Sequence, residues 1–253
     1  MSEVRISLLH LALQAGQLAE NFLQLERGIR LASAMDADLA IAPELCISGY
    51  QFIDVIGTDW IRAHPDRWAM QLSSLAKSLK LAILFGHAER ERLDNRYNSA
   101  FLVNADGITI ARHRKINTHA ESWATPGDAT SVAYWNGLKI GILICADAYT
   151  NKAAGDLCSQ GADLFLSPAA WAPGLYGPNG EWEQRTIETG IPMIVSNRTG
   201  EEPTMNFRGA ESLVIKEGER LLSHSSAGSA VLSFAWNTEE RAPAAREFEV
   251  AYL

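Results

Sequence analysis

Cysteine is scarce in this chain: Cys46, Cys145 and Cys158 are its only three in 253 residues. An odd number at wide spacing argues against a disulfide scaffold and against a cysteine-ligated zinc site, and it suits a reducing, cytoplasmic setting. Basic residues are also in deficit, with 22 Lys and Arg against 30 Asp and Glu and a formal charge of -8. The local basic run of Arg112, Arg114 and Lys115 is short, so broad phosphate neutralisation, and with it nucleic-acid binding, is not expected. No apolar stretch approaches the roughly 20 residues of a membrane span. The start, MSEVRISLLHLALQ, carries an acid and a base early and lacks a cleavage site, so neither membrane insertion nor a secretory leader is expected. Ser/Gly linkers, compositional breaks and fixed-period repeats are missing, which favours one domain over residues 1–253. Dinucleotide GxGxxG and phosphate-binding GxxxxGK[ST] loops are missing too, so oxidoreductase and P-loop chemistry have no motif support.

What is present is an ordinary globular composition, 47% apolar and 21% charged, long enough to bury a large core without staples. Apolar runs at Val4–Leu11, Ala37–Ala42, Leu81–Phe85, Tyr97–Val103, Ile108–Ala111, Ser131–Trp135, Leu138–Ile144, Leu164–Ser167 and Pro192–Ser196 predict strands. Asn104–Gly107 has the composition of a tight hairpin turn. Helical spacing predicts helices over Ala19–Met35, with Phe22, Leu25, Ile29 and Ala32 on one face, and over Asp66–Lys80, with Trp68, Leu72, Leu75 and Leu79. A third helix is expected from about Gly180 to Thr189. Residues Ser212–Phe234 read as short strands turning at Gly218 and Gly228. The β-α-β start followed by hairpins predicts an α/β fold with mixed sheets and helices on their outer faces.

Three residues occupy equivalent places just past apolar strands: Glu44 after ADLAIA, Lys115 after GITIARHR, and Cys145 at the end of LKIGILI. Groups past the carboxyl ends of strands converge on one crevice in α/β folds. A thiol is a strong nucleophile only as thiolate and is mostly protonated near neutrality. A neighbouring carboxylate can take its proton, and an ammonium can stabilise the oxyanion that follows. Taken one at a time, each has an alternative reading: a buried apolar cysteine, a turn carboxylate, a solvated lysine.

The order of segments resembles the nitrilase, or carbon–nitrogen hydrolase, superfamily over nearly the whole chain. VRISLLHLALQAG comes first, and LAIAPELCISGY places Glu44 at the family's glutamate. GITIARHRKI places Lys115 at its lysine, and GLKIGILICAD places Cys145 at its nucleophile with Asp147 two residues on. LFLSPAAW, WEQRTIETG, IPMIVSNRTG and FRGAES follow in order. The resemblance implies a four-layer α-β-β-α sandwich of two mixed sheets, commonly paired through helical faces into a homodimer. It implies a Glu-Lys-Cys triad with a second glutamate, for which Glu121 in HAESWATPGD is the match. No metal, flavin, nucleotide or pyridoxal cofactor is implied.

The expected chemistry is hydrolysis of a small-molecule amide through a cysteine thioester. Lys115 and the Ala146 N–H are the expected oxyanion donors. Nitrilase and N-carbamoyl-amide hydrolase activity use the same constellation and stay open, as does a non-catalytic ligand-binding or interaction role. The expected partner is an amide or nitrile substrate. Tyr50, His119, Tyr149 and Trp171 are candidate substrate contacts, with structural roles the alternative for each. Two departures from the family pattern stand out: CADAYTNKAAG has Ala146 after the nucleophile and no Pro-Glu after Tyr149, and Glu188-Thr189 replaces a common Glu-Asn.

Overall fold

The computed structural model describes residues 3–91 and 94–253; of the N-terminal stretch, Met1 and Ser2 lie outside the described residues. β1 (Glu3–His10), which buries Val4, Ile6, Leu8 and Leu9, leads into α1 (Leu18–Ala34) and back to β2 (Leu39–Ile41), running parallel to β1. A single turn of helix, α2 (Ile53–Ile56), precedes α3 (Arg67–Leu79). Asp66 caps α3, its carboxylate accepting from the Trp68 and Ala69 N–H groups at 3.1 and 3.0 Å, a contribution of about 1 kcal/mol. β3 (Ala82–Arg90), β4 (Arg96–Val103) and β5 (Thr109–Arg114) then form an antiparallel meander. In the β4–β5 turn, Asn104 Oδ1 accepts from the Asp106 and Ile108 N–H groups, each at 3.0 Å.

The second half repeats the plan. β6 (Val132–Trp135) and β7 (Leu138–Ile142) form a hairpin, followed by a 3-10 turn over Cys145–Tyr149 and α4 (Asn151–Ser159). β8 (Leu164–Ala169), α5 (Glu181–Thr189) and β9 (Met193–Asn197) come next, with β7, β8 and β9 parallel. A small hairpin, β10 (Glu201–Glu202) and β11 (Met205–Asn206), stands apart. β12 (Ser212–Lys216) and β13 (Glu219–His224) complete the second sheet, in the order β13-β12-β9-β8-β7-β6. β14 (Ala230–Asn237), β15 (Ala242–Pro243) and β16 (Glu249–Tyr252) return to the first, whose order is β15-β14-β1-β2-β3-β4-β5 with β16 also on β14. Both sheets are mixed, with parallel strands at their centres.

Alternation decides the layers. Ile6 and Leu8 of β1 and Leu84 of β3 point at Ile140, Ile142, Leu164 and Leu166 of the other sheet, forming the inter-sheet core. Leu9, Ile83 and Phe85 point the other way, onto Phe22, Leu25 and Ile29 of α1 and Trp68 and Leu72 of α3. On the second sheet Gly141 leaves room for a helix: a Cβ there would stand 3.0 Å from Leu157 of α4. The result is an α-β-β-α sandwich. A few buried polar bonds tie the sheets in register, among them Ser196 Oγ donating to the Ile41 carbonyl at 2.7 Å.

Two strands run past the expected ends. β3 continues through Gly86–Arg90 and β5 through Arg112–Arg114, because their polar residues pair inside the fold. His87 meets Asp66 at 3.0 Å, and Glu89 meets Arg114 at 2.6 Å and Ser99 at 2.9 Å. The opposite happens at β7, which stops at Ile142 rather than Ile144. There the chain turns so that Cys145 sits at φ 47°, outside any strand.

Candidate active site

Pro43 stops β2, and the following turn carries Glu44 over the end of the first sheet. That turn fits because β3 has a glycine beneath it. A Cβ on Gly86 would lie 2.7 Å from Glu44 Cα and from Leu45 N, and 2.8 Å from the Pro43 carbonyl. Backbone atoms cannot step aside as a flexible side chain would. We expect Gly86→Ala to displace Glu44 by a fraction of an ångström, cut turnover on the order of 100-fold and cost about 1–3 kcal/mol of stability. Steady-state kinetics alongside thermal unfolding checks this; wild-type turnover would show that the turn has slack.

The Glu44 side chain is fully buried and fully engaged. Its Oε1 accepts from Lys115 Nζ at 2.6 Å and from Asn98 Nδ2 at 2.7 Å, and its Oε2 accepts from the Ala170 N–H at 2.9 Å. Lys115 Nζ also bonds Glu121 Oε1, and Asn98 Nδ2 also reaches Glu121 Oε2 at 2.9 Å. Tyr50 closes the cluster, its hydroxyl 3.4 Å from Glu121 Oε1 and its ring 5.9 Å from Lys115 Nζ. The Cys145 thiol lies against Glu44 and the Ala170 N–H. Four residues from loops and turns, Glu44 past β2, Lys115 and Glu121 past β5 and Cys145 past β7, thus meet at one point.

Burial sets the protonation states. It raises the Glu44 carboxyl, against the pull of Lys115 and with a further push from Glu121. Burial alone would lower the Lys115 ammonium, but the Glu121 and Glu44 carboxylates outweigh it and hold the group well above the ordinary lysine value. Burial, then the Glu44 charge, raises the Cys145 thiol well above its usual range. The resting site is therefore a neutral thiol beside an ammonium that Glu44 and Glu121 share. Cys46 is buried two residues past Glu44; burial pushes its thiol up to about 12, and it donates to the Gly86 carbonyl at 3.3 Å.

Asp147 fixes the relation between Cys145 and Lys115. It accepts from the Ile144 N–H on one side, and from the Ile116 and Asn117 N–H groups on the other, all at 2.9 Å. His113 Nε2 lies 2.8 Å away. The residue before the thiol and the residues after the lysine are thereby held by one carboxylate. Asn117 Nδ2 adds a bond to the Ala146 carbonyl at 3.0 Å, which fixes the peptide after the thiol. Burial would raise the Asp147 carboxyl, but the His113 bond and the backbone donors hold it below the usual aspartate value. A depressed acid stabilises the fold above its unfolded pKa of about 4, and that stability is lost as pH falls through the lower folded value. Asp147→Asn should therefore lower the melting temperature at neutral pH and flatten its decline below pH 4, which a melting series from pH 2 to 7 measures.

Of the other candidates, Tyr149 and Trp171 stand together, their ring centroids 4.8 Å apart. Both bond the Tyr176 carbonyl, the indole at 3.1 Å. The Trp171 N–H is held by Asn197 Oδ1 at 3.0 Å. Trp182 is fully buried behind Trp171, with 5.0 Å between ring centroids, so it packs the wall rather than facing a ligand. His119 is exposed, and its ring makes no hydrogen bond among the described residues; the structure does not bring it to the cluster. Asn98 and the Ala170 N–H were missed in sequence. An asparagine two and four positions before the core residues Ala100 and Leu102 was the available signal for the first; a backbone N–H has none.

Residues 5–238 match the family described as carbon-nitrogen hydrolase. A nitrilase of Pyrococcus abyssi is 28% identical over 226 residues, covering 87% of this chain and 80% of its own. An N-carbamoylputrescine amidase of Arabidopsis thaliana is 28% identical over 221 residues, 79% of this chain and 72% of its own. Among solved structures, an amidase of the nitrilase superfamily from Nesterenkonia sp. AN1 superposes with a TM-score of 0.82 at 22% identity, covering 94% of each chain, which shows a shared fold. No helix among the described residues is long and apolar enough to cross a membrane. By the extent of the family match and the agreement of the fold, the chain belongs to the carbon–nitrogen hydrolase family and is an enzyme of it.

Proposed function

We propose that the protein hydrolyses a small-molecule, non-peptide amide through a thioester on Cys145, releasing ammonia and a carboxylic acid. The observation that carries the reading is Glu44, one carboxyl group bonded to the Lys115 ammonium and set against the Cys145 thiol. As Sγ attacks the carbonyl carbon, its proton passes to Glu44 and the carbonyl π pair moves to oxygen. Lys115 and the Ala146 N–H are the donors for that oxyanion, in a buried site where such bonds count most. Collapse breaks the C–N bond, and the nitrogen leaves as ammonia with the proton from Glu44. Water then loses a proton to Glu44, attacks the thioester and frees the acid, and the proton returns to sulfur. Glu121 holds Lys115 and the incoming amide or water in line.

A related amidase, in a glutamate-to-glutamine form, has been solved with the acetamide moiety of fluoroacetamide covalently added at its active-site cysteine; the same nucleophilic role suits Cys145. The tight burial of the thiol, 4% exposed, favours short acyl groups. Three free cysteines suit a cytoplasmic enzyme, and pairing through helical faces into a homodimer belongs to the same proposal. The test is ammonia release from a panel of short aliphatic amides, nitriles and carbamoyl compounds. Release with an acid product from amides supports the reading. Turnover of nitriles alone, or carbon dioxide accompanying ammonia, would replace it with one of its relatives' chemistries.

A further inference from the structure

Among the described residues, one neutral side chain bonds both Glu44 and Glu121. Asn98 is 0% exposed and lies on β4, on the face that also carries Ala100 and Leu102 into the inter-sheet core. The backbone ladder fixes it beside the lysine, since the Lys115 N–H donates to the Asn98 carbonyl at 2.8 Å. Its Nδ2 has two hydrogens, and each goes to a different acid: Glu44 Oε1 at 2.7 Å and Glu121 Oε2 at 2.9 Å. Its Oδ1 is buried with no partner among the described residues. The flipped amide would set that oxygen against two carboxylate oxygens, so electrostatics alone fixes the orientation.

Two buried carboxylates bonded to a single ammonium carry a net negative charge. Left to themselves, such neighbours share a proton, because like charges in a low-dielectric site cannot both ionise cheaply. The groups facing them are Lys115 just past β5, Tyr50 from the loop after Glu44, and Cys145 from the turn after β7. Lys115 supplies one charge for two acids, and a neutral tyrosine or thiol supplies none. Two further N–H donors, one per acid, are what Asn98 adds, and a hydrogen bond to the charged form favours it. Asn98 and Lys115 both occupy Glu44 Oε1, which leaves Oε2, held by the Ala170 N–H, as the oxygen available to take the thiol proton.

We propose that Asn98 is a positioning residue that keeps Glu44 and Glu121 ionised together and aims Glu44 Oε2 at the Cys145 thiol. This rests on the reading of Glu44 as the base. No contact between Asn98 and the substrate is required, and its effect is expected in the acid limb of reactivity rather than in binding.

The test uses the thiol itself and needs no knowledge of the natural substrate. Alkylation of Cys145 by iodoacetamide is followed by intact and peptide mass between pH 4 and 9, for wild type, Glu44→Gln, Asn98→Leu and the near-isosteric Asn98→Asp. Thermal unfolding verifies that each variant is folded, and Asn98→Asp, which keeps shape, stands in if Asn98→Leu does not fold. The expected result for either Asn98 variant is an acid limb moved upward by at least about one pH unit and a rate near neutrality at least about 10-fold lower. With a turned-over amide, kcat should fall by the same factor and KM stay within about threefold. A wild-type rate that depends on Glu44, with Asn98 variants sharing its acid limb, overturns the Asn98 role alone. A rate unchanged in Glu44→Gln overturns the base assignment and the Asn98 role with it.

Discussion

Replacement of Cys145 by alanine is expected to abolish turnover, by about 10,000-fold or more, while leaving the fold and substrate binding intact. The thiol is buried at the edge of the inter-sheet core, and alanine removes only one heavy atom, so the stability change should stay within about 1–2 kcal/mol. Neither Lys115 nor Glu44 loses its principal partner, because their bonds run to each other, to Asn98, to Glu121 and to Ala170. Removing the Cys145 sulfur takes away a contact that favours the charged form of Glu44, so its carboxyl should become slightly harder to ionise. Serine is the more demanding control. Its hydroxyl keeps the hydrogen bond to Glu44 but is a far weaker acid, so a carboxylate that can take a thiol proton cannot take this one, and activity should fall nearly as far. Intact mass during incubation with short amides distinguishes the cases: a transient acyl adduct on the native chain only is expected. Ammonia release by Cys145→Ala at the native rate would remove Cys145 from the chemistry.

That expectation was largely legible in the chain, for a physical reason. Glu44, Lys115 and Cys145 each stand just past an apolar run, and apolar runs are what sequence shows best. A mixed-sheet α/β fold followed the same way, from Val4–Leu11, Leu138–Ile144 and Leu164–Ser167, whereas the four-layer sandwich came from the family resemblance. What was hidden is polar. β5 was expected to end at Ala111, yet Arg112, His113 and Arg114 extend it to the site. Such a run looks like surface until Glu89 and Asp147 are known to receive two of those side chains. Gly86, His87 and Glu89 concealed the end of β3 in the same manner. The turn at Cys145 was hidden for another reason. Ile142, Leu143 and Ile144 continue an apolar run, and only the Asp147 bond to the Ile144 N–H draws the chain out of the strand, so that the thiol leaves the sheet and faces Glu44.

Lys115→Met should produce the largest loss of stability among single changes at the site, together with loss of turnover. Methionine nearly conserves volume, so the cost is electrostatic. Glu44 and Glu121, 0% and 5% exposed, would be left facing each other without the ammonium that both contact. Removing one partner of a buried pair costs about 3–5 kcal/mol, which for a chain of this size lowers the melting temperature by about 6–20 °C. The pH dependence separates this cause from poor packing. In the wild type the Lys115 pKa is raised by its carboxylates; that stabilisation is in place below the unfolded lysine value of about 10.4 and disappears only as pH rises through the higher folded value. In the variant Glu44 loses that attraction and its affinity for a proton rises above the wild-type level. Its deficit should thus be greatest near neutrality and shrink as pH falls toward 5, where one carboxyl takes a proton and can donate to the other. Melting temperatures of both proteins from pH 5 to 9 test this directly. A deficit independent of pH would mean that Lys115 contributes packing rather than charge, and the oxyanion role assigned to it would lose its electrostatic basis.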